Sequence, residues 1–123
     1  MSSYLIKFGG NAIQGRDDLD RLSREIAQLV AGGKKIILVH GGGPEITDEI
    51  SKRGMETKIA GGLRVTDAAV LKVLEEVLQR LNRDVVDSLA KAGVDAEGMS
   101  GEGVVVCVKK GPVKVMEGNK EVT

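Results

Sequence analysis

Lys35-Ile36-Ile37-Leu38-Val39-His40-Gly41-Gly42-Gly43-Pro44 decides the fold of this chain. The first six residues are nearly continuous in β-branched and aliphatic side chains, and three glycines and a proline then break the run. Such a run suits a central strand of a parallel sheet, covered on both faces. Pro44 fits the first turn of a helix, where its fixed φ is useful and its missing N–H costs nothing. A helix is therefore expected from residue 44 or 45 to 52.

The residues before this stretch repeat the pattern. Tyr4-Leu5-Ile6-Lys7-Phe8 is a short apolar run ended by Gly9-Gly10, which reads as a buried strand and a tight turn. Over residues 17–31 the apolar positions Leu19, Leu22, Ile26, Leu29 and Val30 recur at helical spacing. Gly32-Gly33 stops that helix with residues free to take a left-handed cap. Strand, helix, strand and helix in succession are the signature of a right-handed α/β unit.

Beyond residue 52 the reading is looser. Residues 55–62 are polar and glycine-marked, a loop or a short hairpin. Residues 66–91 carry the longest helical pattern, with Thr66-Asp67 as its amino-terminal cap. Its apolar positions, Val70 to Leu89, exceed what one narrow seam needs, so the helix is expected to be covered on two sides or bent near Asn82. Residues 94–99 and 104–109 read as strands, with Cys107 a small core residue in the second. Residues 111–122 alternate weakly around Gly118-Asn119, which suggests a hairpin.

Composition narrows the function classes. The 123 residues fit one domain able to bury a core, with 41% hydrophobic and 29% charged residues. Lys plus Arg and Asp plus Glu stand at 18 each, so no net field steers the chain to nucleic acid or an anionic membrane. One cysteine and one histidine exclude an internal disulfide and a metal site built from several of either. The amino terminus lacks the apolar run of a signal peptide, and the expected location is cytoplasmic. With one Phe, one Tyr and no Trp, the core must be aliphatic, and the 17 glycines call for a reason.

That reason is sought where glycines follow strands. At Gly41-Gly42-Gly43 backbone N–H groups can converge on an anion with no side chain in the way. Gly9-Gly10 offers a second cradle, and in a parallel sheet both turns would face one crevice. Lys7, near the end of the first strand, would project close to it. Each piece has a plainer reading: a glycine turn is often only a turn, and a lysine stem can reach water from a sheet edge. His40 is a candidate general base or a hydrogen-bonded structural residue. Neither G-x-x-x-x-G-K-[ST] nor a G-x-G-x-x-G fingerprint is present. The pattern alone supports an α/β anion binder.

Four stretches then resemble acetylglutamate kinase, of the amino-acid kinase family. They are Ile6-Lys7-Phe8-Gly9-Gly10-Asn11-Ala12, Val39-His40-Gly41-Gly42-Gly43-Pro44-Glu45-Ile46, Gly62-Leu63-Arg64-Val65-Thr66-Asp67 and Gly98-Met99-Ser100-Gly101. The resemblance implies a three-layer α/β sandwich with a mostly parallel central sheet. It implies transfer of the γ-phosphoryl group of ATP, with Mg2+, to the side-chain carboxylate of N-acetyl-L-glutamate, a step in arginine biosynthesis. By the same resemblance, Lys7 neutralises the transferring phosphoryl group and Arg64 grips the substrate's α-carboxylate. Gly42 and Gly43 bind the substrate, while Gly9, Gly10 and Gly41 face the phosphoryl group; no metal ligand is assigned.

Residues 1–123 are expected to be the amino-terminal, substrate-binding domain, with the carboxyl-terminal ATP-binding domain absent. Alone, the chain is expected to bind no nucleotide and to be inactive. A homodimer is implied, with the long helix in or near the interface. The competing class is a carboxylate- or phosphate-binding or dimerisation module derived from such a kinase.

Overall fold

A computed structural model describes residues 2–9, 11–108, 115–117 and 120–122. The elements run β1 (Ser3–Phe8), α1 (Arg16–Ala31), β2 (Lys35–His40), α2 (Gly43–Lys52), β3 (Ile59–Ala60), β4 (Leu63–Arg64), α3 (Ala68–Lys91), β5 (Val115–Glu117) and β6 (Lys120–Val122). The fold is α/β. β1 and β2 pair in parallel from Ser3 opposite Lys35 to Phe8 opposite His40. The helix α1 between them makes the crossover that parallel pairing requires. Gly33, at φ 81°, supplies the left-handed residue that ends α1, and the Lys34 N–H donates to the Leu29 carbonyl.

Two aliphatic clusters form the core, and α3 contributes to both. Ile46 and Ile50 of α2 pack on Val70, Val73 and Val77. Leu19 and Ile26 of α1 pack on Val85 and Leu89, with Ile6, Phe8, Ile36 and Leu38 of the sheet closing over them. The apolar excess of α3 is thus explained by coverage from two helices. Ser23 and Ser88 are the buried polar residues at the α1–α3 contact. Ser23 Oγ donates to Ser88 Oγ at 2.8 Å, and Ser88 Oγ donates to Asp20 Oδ1 at 2.7 Å.

The sheet departs from one expectation. Its residues alternate, with Ile6, Phe8, Ile36 and Leu38 turned to the helices and Leu5, Lys7, Ile37 and Val39 to the other face. Leu5 stays 69% exposed and Ile37 63%. Among the described residues one helical layer covers the strand pair, so the run at residues 35–40 is buried on one face, not two.

The hairpin reading of residues 55–62 shifts forward. β3 and β4 pair antiparallel across Gly61-Gly62, both with positive φ, as a two-residue mirror-image turn demands. β5 and β6 pair as the expected hairpin, whose turn at Gly118-Asn119 lies outside the described residues.

The strands expected at 94–99 and 104–109 do not form within the described residues, and Lys109 lies outside them. Val94 and Ala96 lean on the α1–α3 cluster but find no ladder partner. Residues 101–105 instead close a turn through donation from the Val104 and Val105 N–H groups to the Gly101 carbonyl. An apolar run becomes a strand only when a neighbouring edge accepts its backbone groups. Cys107 is accordingly exposed, not a core residue. No helix among the described residues is long and apolar enough to cross a membrane.

Candidate functional site

The carboxyl ends of β1 and β2 carry the two glycine turns, and the parallel register puts them side by side. A Cβ added to Gly9 would lie 3.6 Å from the Gly41 nitrogen, and one added to Gly41 would lie 3.8 Å from the Gly9 Cα. The Gly41 N–H donates to the Phe8 carbonyl at 3.1 Å, extending the ladder by one rung and removing that amide from ligand binding. The N–H groups of Gly42 and Gly43 have no acceptor among the described residues. They sit at the start of α2, where the helix leaves its first amides unpaired and carries partial positive charge.

Gly42 is glycine for a reason the sequence did not suggest. A side chain there would meet Leu78 Cδ2 and Leu81 Cδ1, each at 2.9 Å. The absent Cβ lets the turn rest directly on α3. At Gly43 an added Cβ would meet nothing within 4 Å, so that position faces open space.

Gly9, Gly41 and Gly42 line one open cleft of about 570 Å³ between the two turns and α3. Asn11, Gln14 and Arg16 line it as well, and Glu45, Asp48 and Asp84 bring carboxylates to it. Of these, Asn11 had a signal, since it follows directly on Gly9-Gly10. Asp84 had none, because only the helix packing brings it there. Gly10 lies outside the described residues.

Lys7 and Arg64 do not line this cleft. Lys7 is exposed on the face of β1 opposite Phe8, level with Val39. Arg64, half-buried on β4, reaches the first turn of α2 from the other side. Its Nη2 donates to Thr47 Oγ1 at 2.9 Å and lies 3.4 Å from the Gly43 carbonyl. Thr47 Oγ1 in turn donates to that carbonyl at 2.9 Å. The Arg64 Nη1 is buried without a hydrogen-bond partner among the described residues. A buried cationic donor left unpaired is costly, and a carboxylate is the group that best satisfies it. Asp67 fixes the chain just beyond, accepting from the Val70 N–H at 2.8 Å to cap α3.

His40 is held at both ring nitrogens: Nδ1 lies 2.9 Å from the Gly41 carbonyl and Nε2 3.2 Å from Asn82 Nδ2. Both ring nitrogens thus face a hydrogen-bonding group, which favours the structural reading of His40 over that of a general base. Among the described residues no three of His, Cys, Asp and Glu converge so as to hold a metal ion.

Two glycine turns at adjacent parallel strand ends, with unpaired amides at a helix start and an arginine beside them, are what a small anion-binding α/β protein needs. The chain matches the amino acid kinase family over residues 3–119, and it belongs to that family. It is similar to acetylglutamate kinases: 38% identical over 119 residues to that of Methanoculleus marisnigri, covering 94% of this chain and 41% of that protein. The acetylglutamate kinase of Archaeoglobus fulgidus is 35% identical over 123 residues, covering 98% and 42%. That of Campylobacter jejuni is 39% identical over 108 residues, covering 86% and 39%. The chain thus spans about two fifths of the length of these curated relatives.

Proposed function

We propose that this chain provides the acceptor-substrate site of an acetylglutamate kinase, binding N-acetyl-L-glutamate while ATP donates its γ-phosphoryl group to the side-chain carboxylate. The observation that carries this reading is the meeting of three features at the first turn of α2. These are the unpaired amides of Gly42 and Gly43, the adjacent Gly9 turn, and the Arg64 guanidinium with its unsatisfied Nη1. The relatives' shared name supports the choice of substrate.

In the reaction a carboxylate oxygen bonds to phosphorus as the bond to the ADP oxygen breaks, giving an acyl phosphate. The attacking group is already ionised, so no base has to remove a proton. The chain's own residues therefore position groups and balance charge. Arg64 holds the α-carboxylate, and the Gly42 and Gly43 amides hold the substrate. The turns at Gly9 and Gly41 face the phosphoryl group, and Lys7 offsets its charge. Magnesium would arrive with the nucleotide phosphates and offset their charge.

A homodimer belongs to the same proposal. The contact is placed in or near α3, whose apolar faces toward α1 and α2 are covered and on which Leu71 is the one large exposed apolar residue.

The test joins this chain to the remaining part of a full-length relative and measures steady-state kinetics. Arg64→Ala should raise the KM for N-acetyl-L-glutamate about ten- to a hundredfold, the loss of one charged hydrogen bond worth about 1.5–3 kcal/mol. Lys7→Ala should instead lower kcat, because its charge matters most in the transition state. An unchanged KM in the first variant, or an unchanged kcat in the second, rejects the corresponding role.

A further inference from the structure

His40 is the chain's single histidine, and the chemistry above gives it no part. Its two hydrogen-bond contacts select one tautomer of the neutral ring. The Gly41 carbonyl can only accept, so the proton facing it must sit on Nδ1. In the neutral ring Nε2 then carries the lone pair and must meet a donor, which is the Asn82 Nδ2 amide. Asn82, half-buried on α3, is thereby turned so that its Oδ1 faces Gly98. A Cβ on Gly98 would overlap that oxygen and stand 3.1 Å from Val86 Cγ2. The missing side chain at Gly98 makes the space in which the Asn82 amide can hold this orientation.

The carbonyl that His40 grips belongs to the Gly41–Gly42 peptide, and the N–H of that same rigid unit is Gly42's. Fixing the carbonyl on one side fixes the donor on the other. The Gly41 N–H is tied to the Phe8 carbonyl and the Gly42 carbonyl to the Ile46 N–H, but between these two anchors glycine on both sides lets the intervening peptide plane turn unless something outside it intervenes. Leu78 and Leu81 block one side of Gly42 sterically, but they exert no preference on the plane's polar ends.

We propose that His40 is a positioning residue for the glycine turn: Asn82, seated by Gly98, selects its Nδ1–H form, and that form aims the Gly42 N–H. The inference rests on the reading that Gly42 contributes an amide to substrate binding, and it assigns that amide's aim to a chain of contacts running Gly98, Asn82, His40, Gly41. It also gives the Gly98-Met99-Ser100-Gly101 stretch a physical connection to the site. Movement of this segment toward α3 would press on Asn82 and release the histidine.

The test needs no ligand, so its failure and the failure of the functional reading are separable. Nitrogen-15 spectra of the lone histidine, taken at a pH where the spectra show a neutral ring, should display the Nδ1–H tautomer. Asn82→Leu and Gly98→Ala should both shift the ring toward the Nε2–H form and move the Gly42 amide resonance, while the resonances of α1 stay in place. A shape argument supplies the rescue. An asparagine amide nitrogen overlays Nδ1 of histidine, and a glutamine amide nitrogen overlays Nε2. His40→Asn should therefore keep the Gly42 amide near its wild-type position, and His40→Gln should displace it. An Nε2–H tautomer in the unmodified chain overturns the proposal without any variant having to fold. A Gly42 amide that moves equally in His40→Asn and His40→Gln also overturns it, since bulk packing alone would then hold the turn. Binding of N-acetyl-L-glutamate, titrated separately, bears only on the function.

Discussion

Removing the Ser88 hydroxyl should destabilise the chain more than removing its neighbour's, and removing both should cost less than the two single losses combined. Ser23 and Ser88 are each 1% exposed and stand between α1 and α3, with Asp20 as the outer acceptor. Ser88→Ala leaves the Ser23 hydroxyl donating to nothing in a dry contact, a loss of about 1–3 kcal/mol for a buried unsatisfied group. Ser23→Ala leaves Ser88 still donating to Asp20 and removes one neutral hydrogen bond, about 0.5–1.5 kcal/mol. With both hydroxyls gone no buried donor is stranded, and the half-exposed Asp20 turns to water and to Arg16, 4.0 Å away. The double variant should therefore lose about 1 kcal/mol less than the sum, well beyond the few tenths expected of independent sites. Unfolding entropy of about 2.1 cal/mol/K per residue gives about 0.26 kcal/mol/K for 123 residues. A 2 kcal/mol loss in Ser88→Ala thus appears as a fall of about 8 °C in Tm. Calorimetry or urea titration of the four proteins decides it. Additive losses, or a Ser23→Ala loss as large as that of Ser88→Ala, would refute the hydrogen-bond chain as the cause.

Ile50 is fully buried between α2 and α3, so Ile50→Ala should cost about 2–5 kcal/mol and lower the urea midpoint without changing the slope. Glu76 is held below the usual carboxylate range, first by its hydrogen bond from Arg53 and then by that residue's charge. Whatever stability this exposed pair adds is present above the ordinary glutamate range and is lost as pH falls through the lowered value. A carbon-detected titration should show the Glu76 midpoint rise toward its ordinary value in Arg53→Gln; an unmoved midpoint refutes the pairing. The 123-residue chain alone should not turn over ATP with N-acetyl-L-glutamate, and radiolabel transfer at enzymatic rates would overturn that. Sedimentation at tens of micromolar, about where a standard interface holds, should show a dimer; monomer only would remove that part of the proposal.

The first half of the fold was legible because two independent signals agreed there. Glycine pairs or triplets stand at the ends of both strands and after α1, and between them the apolar period is clearly 2 or 3.6. The start of α3 was legible as well: of the two cap candidates Thr66 and Asp67, it is the Asp67 carboxylate that reaches the Val70 amide. The stretch after α3 was misread. Val104, Val105, Val106 and Val108 are strand formers by propensity, but propensity does not supply an edge to pair with, and all four stay exposed.

At the site, the meeting of the Gly9 and Gly41 turns followed from parallel pairing alone. The facing of Lys7 was also available in the sequence. Once Ile6 and Phe8 turn inward, period 2 puts Lys7 on the other face, but reading the run as buried on both sides hid that alternation. The clasp of Arg64 on Thr47 and the link from His40 to Asn82 span 17 and 42 residues of chain, and no local pattern announces them.

Because α3 carries both clusters, neither can open alone at little expense. Parting α2 from it uncovers Val70, Val73 and Val77; parting α1 uncovers Val85 and Leu89. The middle of the helix, where Leu78, Leu81 and Asn82 meet Gly42 and His40, is braced from either end. In hydrogen-exchange terms, the amides there should be among the last to open short of global unfolding. The glycine turn, intrinsically the most pliable backbone in the chain, is thus moored to its slowest-opening part. A loop that would lose entropy on meeting a ligand has already lost much of it in folding.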